Sequence, residues 1–114
     1  MSQAAVIDRT FSALADPTRR AVVELLREQP RRAGHLAESL GISAPALSRH
    51  LRVLRQGGLI IDEEPADDAR VRLYRLCPEA FLPLKDWLAD LEQFWSDQLA
   101  GFAAHVAAKN RTRV

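Results

Sequence analysis

A chain of 114 residues, 47% of them hydrophobic, with a formal net charge of +1, has the size of one domain and a modest core. No apolar run approaches the roughly 20 residues of a membrane-spanning helix. Met1-Ser2-Gln3-Ala4 has no basic stretch followed by an apolar block, so no secretory leader is expected, and one cysteine, Cys77, excludes an internal disulfide framework. These features give the expectation of a cytoplasmic protein without a membrane partner.

In chain order, Val6, Ile7, Phe11 and Leu14 fall at helical spacing and predict a first helix over residues 3–14. Asp16-Pro17 reads as an N-cap followed by proline at the first helical position. The second helix turns Ala21, Val22, Leu25 and Leu26 inward and stops before Pro30. A short third helix, 32–40, places Leu36, Ala37 and Leu40 on one face, and Gly41 supplies a residue able to take positive φ. Ser43 caps a fourth helix with Leu47, Leu51 and Leu54 as its buried stripe, ended by Gly57-Gly58. Two strand-like segments, 59–64 and 70–76, flank Pro65-Ala66-Asp67-Asp68-Ala69 and predict a hairpin. One long helix follows over 83–108, and the residues from Lys109 onward are expected to fray. The expected fold is therefore mainly α with a small β-hairpin wing.

Charge is distributed unevenly along these elements. Between Asp16 and Gln56 stand Arg19, Arg20, Arg27, Arg31, Arg32, Arg49, Arg52 and Arg55 against Asp16, Glu24, Glu28 and Glu38. Between Glu79 and Ala108 stands Lys85 against Glu79, Asp86, Asp90, Glu92 and Asp97. A basic middle suits phosphate, and an acidic end faces away from it. No acid occurs from Ser43 to Ile61, where a neutral helical bundle would mix signs.

Residues 32–56 have the form of a helix-turn-helix. With Ile42, Leu47 and Leu51 turned inward, Ser43, Ala44, Ala46, Ser48, Arg49, His50 and Arg52 occupy the other face of the fourth helix. Small polar residues at its N-terminal half would let it enter the roughly 12 Å major groove, where arginine can pair with guanine.

The stretches Phe11-Ser12-Ala13-Leu14-Ala15-Asp16-Pro17-Thr18-Arg19-Arg20, Ser48-Arg49-His50-Leu51-Arg52-Val53-Leu54, Gly57-Gly58-Leu59-Ile60 and Arg70 through Tyr74-Arg75-Leu76 resemble, in order, the arsenic-repressor (ArsR/SmtB-type) bacterial regulators. The resemblance covers about residues 5–100. It implies a homodimeric winged helix-turn-helix repressor that reads an inverted repeat in double-stranded DNA. It also implies DNA contacts from Ser43, Ala44, Ala46, Ser48, Arg49, His50 and Arg52, with Arg70 and Arg72 on the wing. For His50 a packing role stands beside DNA contact. Arg55 reads as a solvated face, and Arg70 next to Asp67-Asp68 as a local counter-charge.

In the last helix, Leu84, Leu88, Leu91, Trp95, Leu99, Phe102 and Val106 step by 4, 3, 4, 4, 3 and 4, widened by Trp87, Phe94 and Ala103. Four aromatics at about 150–250 Å² each represent on the order of 15–25 kcal/mol of gross transfer energy, too much to leave in water. The simplest closed arrangement pairs this helix with that of a second copy, the first helix alongside. The expected interface is Ile7, Phe11, Leu84, Trp87, Leu88, Leu91, Phe94, Trp95, Leu99 and Phe102. The acidic opposite face argues against a membrane surface. The expected organisation is a single winged-helix domain over 1–114, with dimerisation helices at 3–14 and 83–108, the helix-turn-helix at 32–56 and the wing at 59–76.

Members of this family that sense metals carry ligand sets that are incomplete here. Arg32 and Gly34 stand where a thiolate site needs cysteines, and His35 is lone. The best register for a zinc pattern on the last helix is Glu92, Phe94, His105 and Ala108, with ligands at two of four places. No metal or other cofactor is expected, and the sequence identifies no inducer. Cys77 reads as a small buried hydrophobe. Ser48 and His50 are two apart on a helix and do not face each other, and no phosphate loop or nucleophile elbow is present, so no enzyme is expected. The alternative is a dimeric winged helix that binds protein instead of DNA.

Overall fold

The computed structural model describes residues 2–64 and 72–111. It forms two compact units, Met1–Pro83 and Leu84–Val114.

In the first unit, helix α1 (Gln3–Leu14) starts where the Ser2 hydroxyl accepts the Ala5 N–H at 3.1 Å. It buries Ile7, Thr10 and Ala13, and the Thr10 hydroxyl donates back to the Val6 carbonyl at 3.0 Å. The expected stripe is thus rotated. Phe11 is 44% exposed, whereas Ile7, expected at a subunit contact, is buried within its own chain and offers a partner little surface.

Helix α2 (Pro17–Glu28) begins at Asp16, whose carboxylate accepts the N–H groups of Thr18 and Arg19 at 2.8 and 3.0 Å, and buries Val22 and Leu26. After Pro30, Arg31 and Arg32 form a two-residue strand β1 that periodicity did not predict, since two residues carry no alternation to detect. Helix α3 (Ala33–Leu40) and helix α4 (Ala44–Gln56) follow.

Strands β2 (Ile60–Glu63) and β3 (Leu73–Leu76) pair antiparallel, Ile60 opposite Leu76 and Glu63 opposite Leu73. Strand β1 pairs with the far side of β3, so the expected two-stranded hairpin is the larger part of a three-stranded sheet in the order β1-β3-β2. The Cys77 N–H donates to the Leu59 carbonyl at 2.8 Å, extending the β2–β3 ladder by one step. A 3₁₀ turn (Pro78–Phe81) leads into the last helix.

One core joins these elements. Val22 and Leu26 of α2, Leu36 of α3, and Leu47, Leu51 and Leu54 of α4 pack with Ala13, Leu59 and Ile60. Cys77 is buried, as expected of a small hydrophobe.

The second unit is a stretch of one helix, α5 (Leu82–Arg111), of 30 residues. At 1.5 Å per residue it is about 45 Å long, and it continues past the expected fraying point at Lys109. Along it Trp87, Leu88, Leu91, Phe94, Trp95, Leu99 and Phe102 are exposed, the last by 67%, and Leu84 is half-buried. Phe94 and Trp95 meet edge to face with ring centres 5.6 Å apart.

Candidate nucleic-acid interface

The turn between α3 and α4 is fixed by its backbone. Gly41 sits at φ 65°, and the Ile42 N–H returns to the Ala37 carbonyl at 3.1 Å, the bond that closes a Schellman motif. Only a residue without Cβ takes this conformation cheaply. Two residues later the Ser43 hydroxyl oxygen accepts the Ala46 N–H at 3.2 Å and starts α4. That oxygen is occupied as an acceptor, while its hydrogen remains available to a phosphate.

Leu47, Leu51 and Leu54 lock one face of α4 into the core. The opposite face carries Ser43, Ala44, Ser48, Arg49 and Arg52, all exposed, with Ala46 and His50 half-buried at its margins. Ser43, Ala44, Ala46 and Ser48 keep the first two turns of α4 narrow, which is what insertion into a major groove requires. Arg49 and Arg52 make no hydrogen bond or ion pair among the described residues.

The other arginines of the basic middle are mostly engaged. Arg19 donates through Nε to the Ala13 carbonyl at 2.6 Å and through Nη2 to that of Ser12 at 3.1 Å. Arg20 donates to the carbonyls of Leu14 and Ala15 at 2.7 and 3.1 Å. Together they satisfy the orphan acceptors at the end of α1. Arg31 does the same at the end of α2, reaching the Leu25 carbonyl at 3.0 Å and Glu28 at 2.7 Å. Arg27 pairs with Glu24 at 2.9 Å, and Arg55 with Asp62 at 3.3 Å. Counted by charge alone these arginines read as a basic stretch, and the count does not show the capping roles of Arg19, Arg20 and Arg31. The signal was their position just beyond helix ends, where carbonyls need donors.

His50 Nδ1 lies 3.4 Å from Arg19 Nη1 and 3.9 Å from Asp16 Oδ1, so its packing role is real. The Asp16 carboxyl is held below the usual carboxylate range, first by the backbone N–H of Arg19, against a smaller opposing effect of burial.

On the wing, Arg72 donates to Asp62 at 2.8 Å and lies 3.8 Å from Glu64, so its charge is compensated within the chain. Arg55 shares the same carboxylate and is not the idle surface residue expected. Burial pushes the Asp62 carboxyl up, but Arg55 and Arg72 outweigh it and hold it below its ordinary value. Arg70 lies outside the described residues.

The partial metal registers are not brought together. His35 Nε2 is 2.7 Å from Arg31 Nη1. Glu92 and His105 are on one helix, 13 residues and therefore about 20 Å apart, too far to share an ion. Among the described residues no three His, Cys, Asp or Glu side chains converge as a metal site, and no helix is long and apolar enough to cross a membrane.

A glycine-turned helix pair with one solvent-facing cationic helix, beside a small antiparallel sheet, defines a winged helix-turn-helix protein. Residues 16–62 match the family described as bacterial regulatory protein, arsR family. HTH-type transcriptional regulator Rv2034 of Mycobacterium tuberculosis is 45% identical over 96 residues, 84% of each chain. Transcriptional repressor SdpR of Bacillus subtilis is 41% identical over 56 residues, 49% of this chain and 62% of its own. The crystal structure of an ArsR family transcriptional regulator, RHA00566, superposes with a TM-score of 0.68 at 33% identity over 83% of this chain and 98% of that one. The chain belongs to the arsR family of bacterial regulatory proteins. It is a DNA-binding transcription regulator, and its relatives are regulators rather than enzymes.

Proposed function

We propose that the chain is a homodimeric repressor that inserts α4 of each copy into successive major grooves of an inverted-repeat operator, about 34 Å apart. The observation that carries this is the state of Arg49 and Arg52. They are exposed cations, unbonded among the described residues, on a helix whose other face is fixed in the core, while Arg19, Arg20 and Arg31 serve helix ends. Ser43 and Ser48, with Ala44 and Ala46 leaving room, complete the surface offered to the groove. Arg72 already donates through Nη1 to Asp62, so part of its charge is answered within the chain before it meets phosphate.

Dimerisation is assigned to α5, with Phe11 of α1. Trp87, Phe94, Trp95 and Phe102 are each 42–67% exposed. Roughly half of their surface, at about 25 cal/mol per Å², is on the order of 10 kcal/mol of transfer energy that a second copy would recover. Two copies related by a two-fold axis bring the same stripe to both sides of the contact.

Duplex affinity measured against salt tests the reading. DNA binding falls log-linearly with salt as counterions are released. A module that binds only protein has no duplex affinity even at low salt. Footprinting on the DNA upstream of the chain's own gene is expected to give a two-fold protected site.

A further inference from the structure

We propose that Arg19 is a positioning residue that sets the rotation of the recognition helix α4 by tethering His50 to the end of α1. The inference rests on the reading of α4 as the DNA-binding helix.

The three nitrogens of one guanidinium each meet a different group. Nε and Nη2 hold the Ala13 and Ser12 carbonyls of α1, and Nη1 lies 3.4 Å from His50 Nδ1 in the middle of α4. The residue's own backbone N–H is held by Asp16, whose Oδ1 also stands 3.9 Å from His50 Nδ1. The end of α1, the start of α2 and the centre of α4 therefore converge on one planar group. Arginine has donors only, so a hydrogen bond at this contact requires His50 Nδ1 to accept, with the ring proton on Nε2.

Such a tether supplies what the core does not. Leu47, Leu51 and Leu54 decide which face of α4 is buried, but apolar contact is non-directional. Each residue is 100° of helix rotation, so a small turn of α4 re-aims both Arg49 and Arg52. His50 lies between those two arginines in sequence, and holding its ring fixes their azimuth. Lysine cannot substitute, because its ammonium is a point charge without the rigid fork. The tether also connects α4 to α1, so a partner held against α1 steadies the helix that meets DNA.

The test uses the full chain and four variants, Arg19→Lys, His50→Ala, His50→Asn and Arg19→Lys/His50→Ala, each checked for folding by circular dichroism. Asparagine keeps an acceptor near the Nδ1 position. Arg19→Lys and His50→Ala are each expected to weaken operator binding about tenfold, and the double variant no more than the worse single. His50→Asn is expected to recover most of the affinity. The salt slope is expected to stay unchanged, because no phosphate contact is lost. Additive losses, or a slope reduced by His50→Ala, would overturn the proposal in favour of direct DNA contact by His50. A DNA-independent readout is the ¹⁵N shift of the His50 ring. Nδ1 is expected to be unprotonated in the parent chain and to move toward the tautomer average in Arg19→Lys; an unchanged spectrum refutes the tether. A parent chain that binds no duplex at low salt overturns the DNA-binding reading, and with it the role of the tether in aiming α4, whatever the ring spectrum shows.

Discussion

Arg55, in the last turn of α4, donates to Asp62 of β2 at 3.3 Å, so α4 and the small sheet share one carboxylate. Arg72 reaches that carboxylate from the start of the other wing strand.

The shared carboxylate gives a pH dependence with a definite sign. The folded pKa of Asp62 lies below its unfolded value. Its contribution to stability is therefore complete above the ordinary carboxylate range, near pH 4, and is lost as pH falls through the lower folded value. Asp62→Asn is expected to remove a few tenths to about 1 kcal/mol at pH 7 and to flatten the acid side of the stability curve, measured by urea unfolding from pH 7 to 3.

Arg49→Ala and Arg52→Ala are expected to leave the fold intact, since both side chains are exposed and make no bond among the described residues. Each is expected to weaken duplex binding by about 1–3 kcal/mol, and a phosphate-binding arginine to reduce the salt slope by about one. Gel-shift titrations at several salt concentrations give both numbers. Unchanged affinity in the double variant would remove these residues from the interface.

Trp95 is 56% exposed on α5. Trp95→Ala is expected to weaken self-association by about 2 kcal/mol or more, as a central aromatic does at an interface, with little change in the folding of Met1–Pro83. Sedimentation across a concentration series measures this, and operator affinity is expected to fall with it.

Gly41→Ala is expected to cost about 1–2 kcal/mol. A Cβ at Gly41 would meet nothing within 4 Å, so the whole cost is the backbone at φ 65°. Gly41→Asn is expected to cost less, since asparagine tolerates this conformation better. Thermal unfolding distinguishes the two.

Burial, and then the nearby Glu79, push the Cys77 thiol up, with Arg75 opposing. The native thiol is expected to react slowly with an alkylating reagent at pH 8 and rapidly once urea unfolds the chain.

The sequence made the helix-turn-helix legible because its determinants are local. Gly41 ends one helix, Ser43 starts the next, and Leu47, Leu51 and Leu54 repeat on a single face. Strand β1 was not legible: Arg31 and Arg32 become a strand only because Tyr74 and Leu73 lie opposite them. The arginine roles were hidden for a related reason. Composition records a charge, but whether Arg19 faces solvent or the last carbonyls of α1 depends on how α2 folds back. Ile7 and Phe11 were expected on one contact face, and only Phe11 is exposed there, because a helical stripe gives a face and the neighbouring elements decide which flank of it is covered.

Internal compensation among the arginines bears on how such a regulator would search a genome. A chain with a net charge of +1, in which seven of the twelve described guanidinium groups already answer carbonyls or carboxylates, has little surplus field to attract arbitrary duplex. On the reading proposed above, copies would spend less time stalled on unrelated sequence. Occupancy of the correct site would then depend on the geometry of two helices more than on the pull of phosphate.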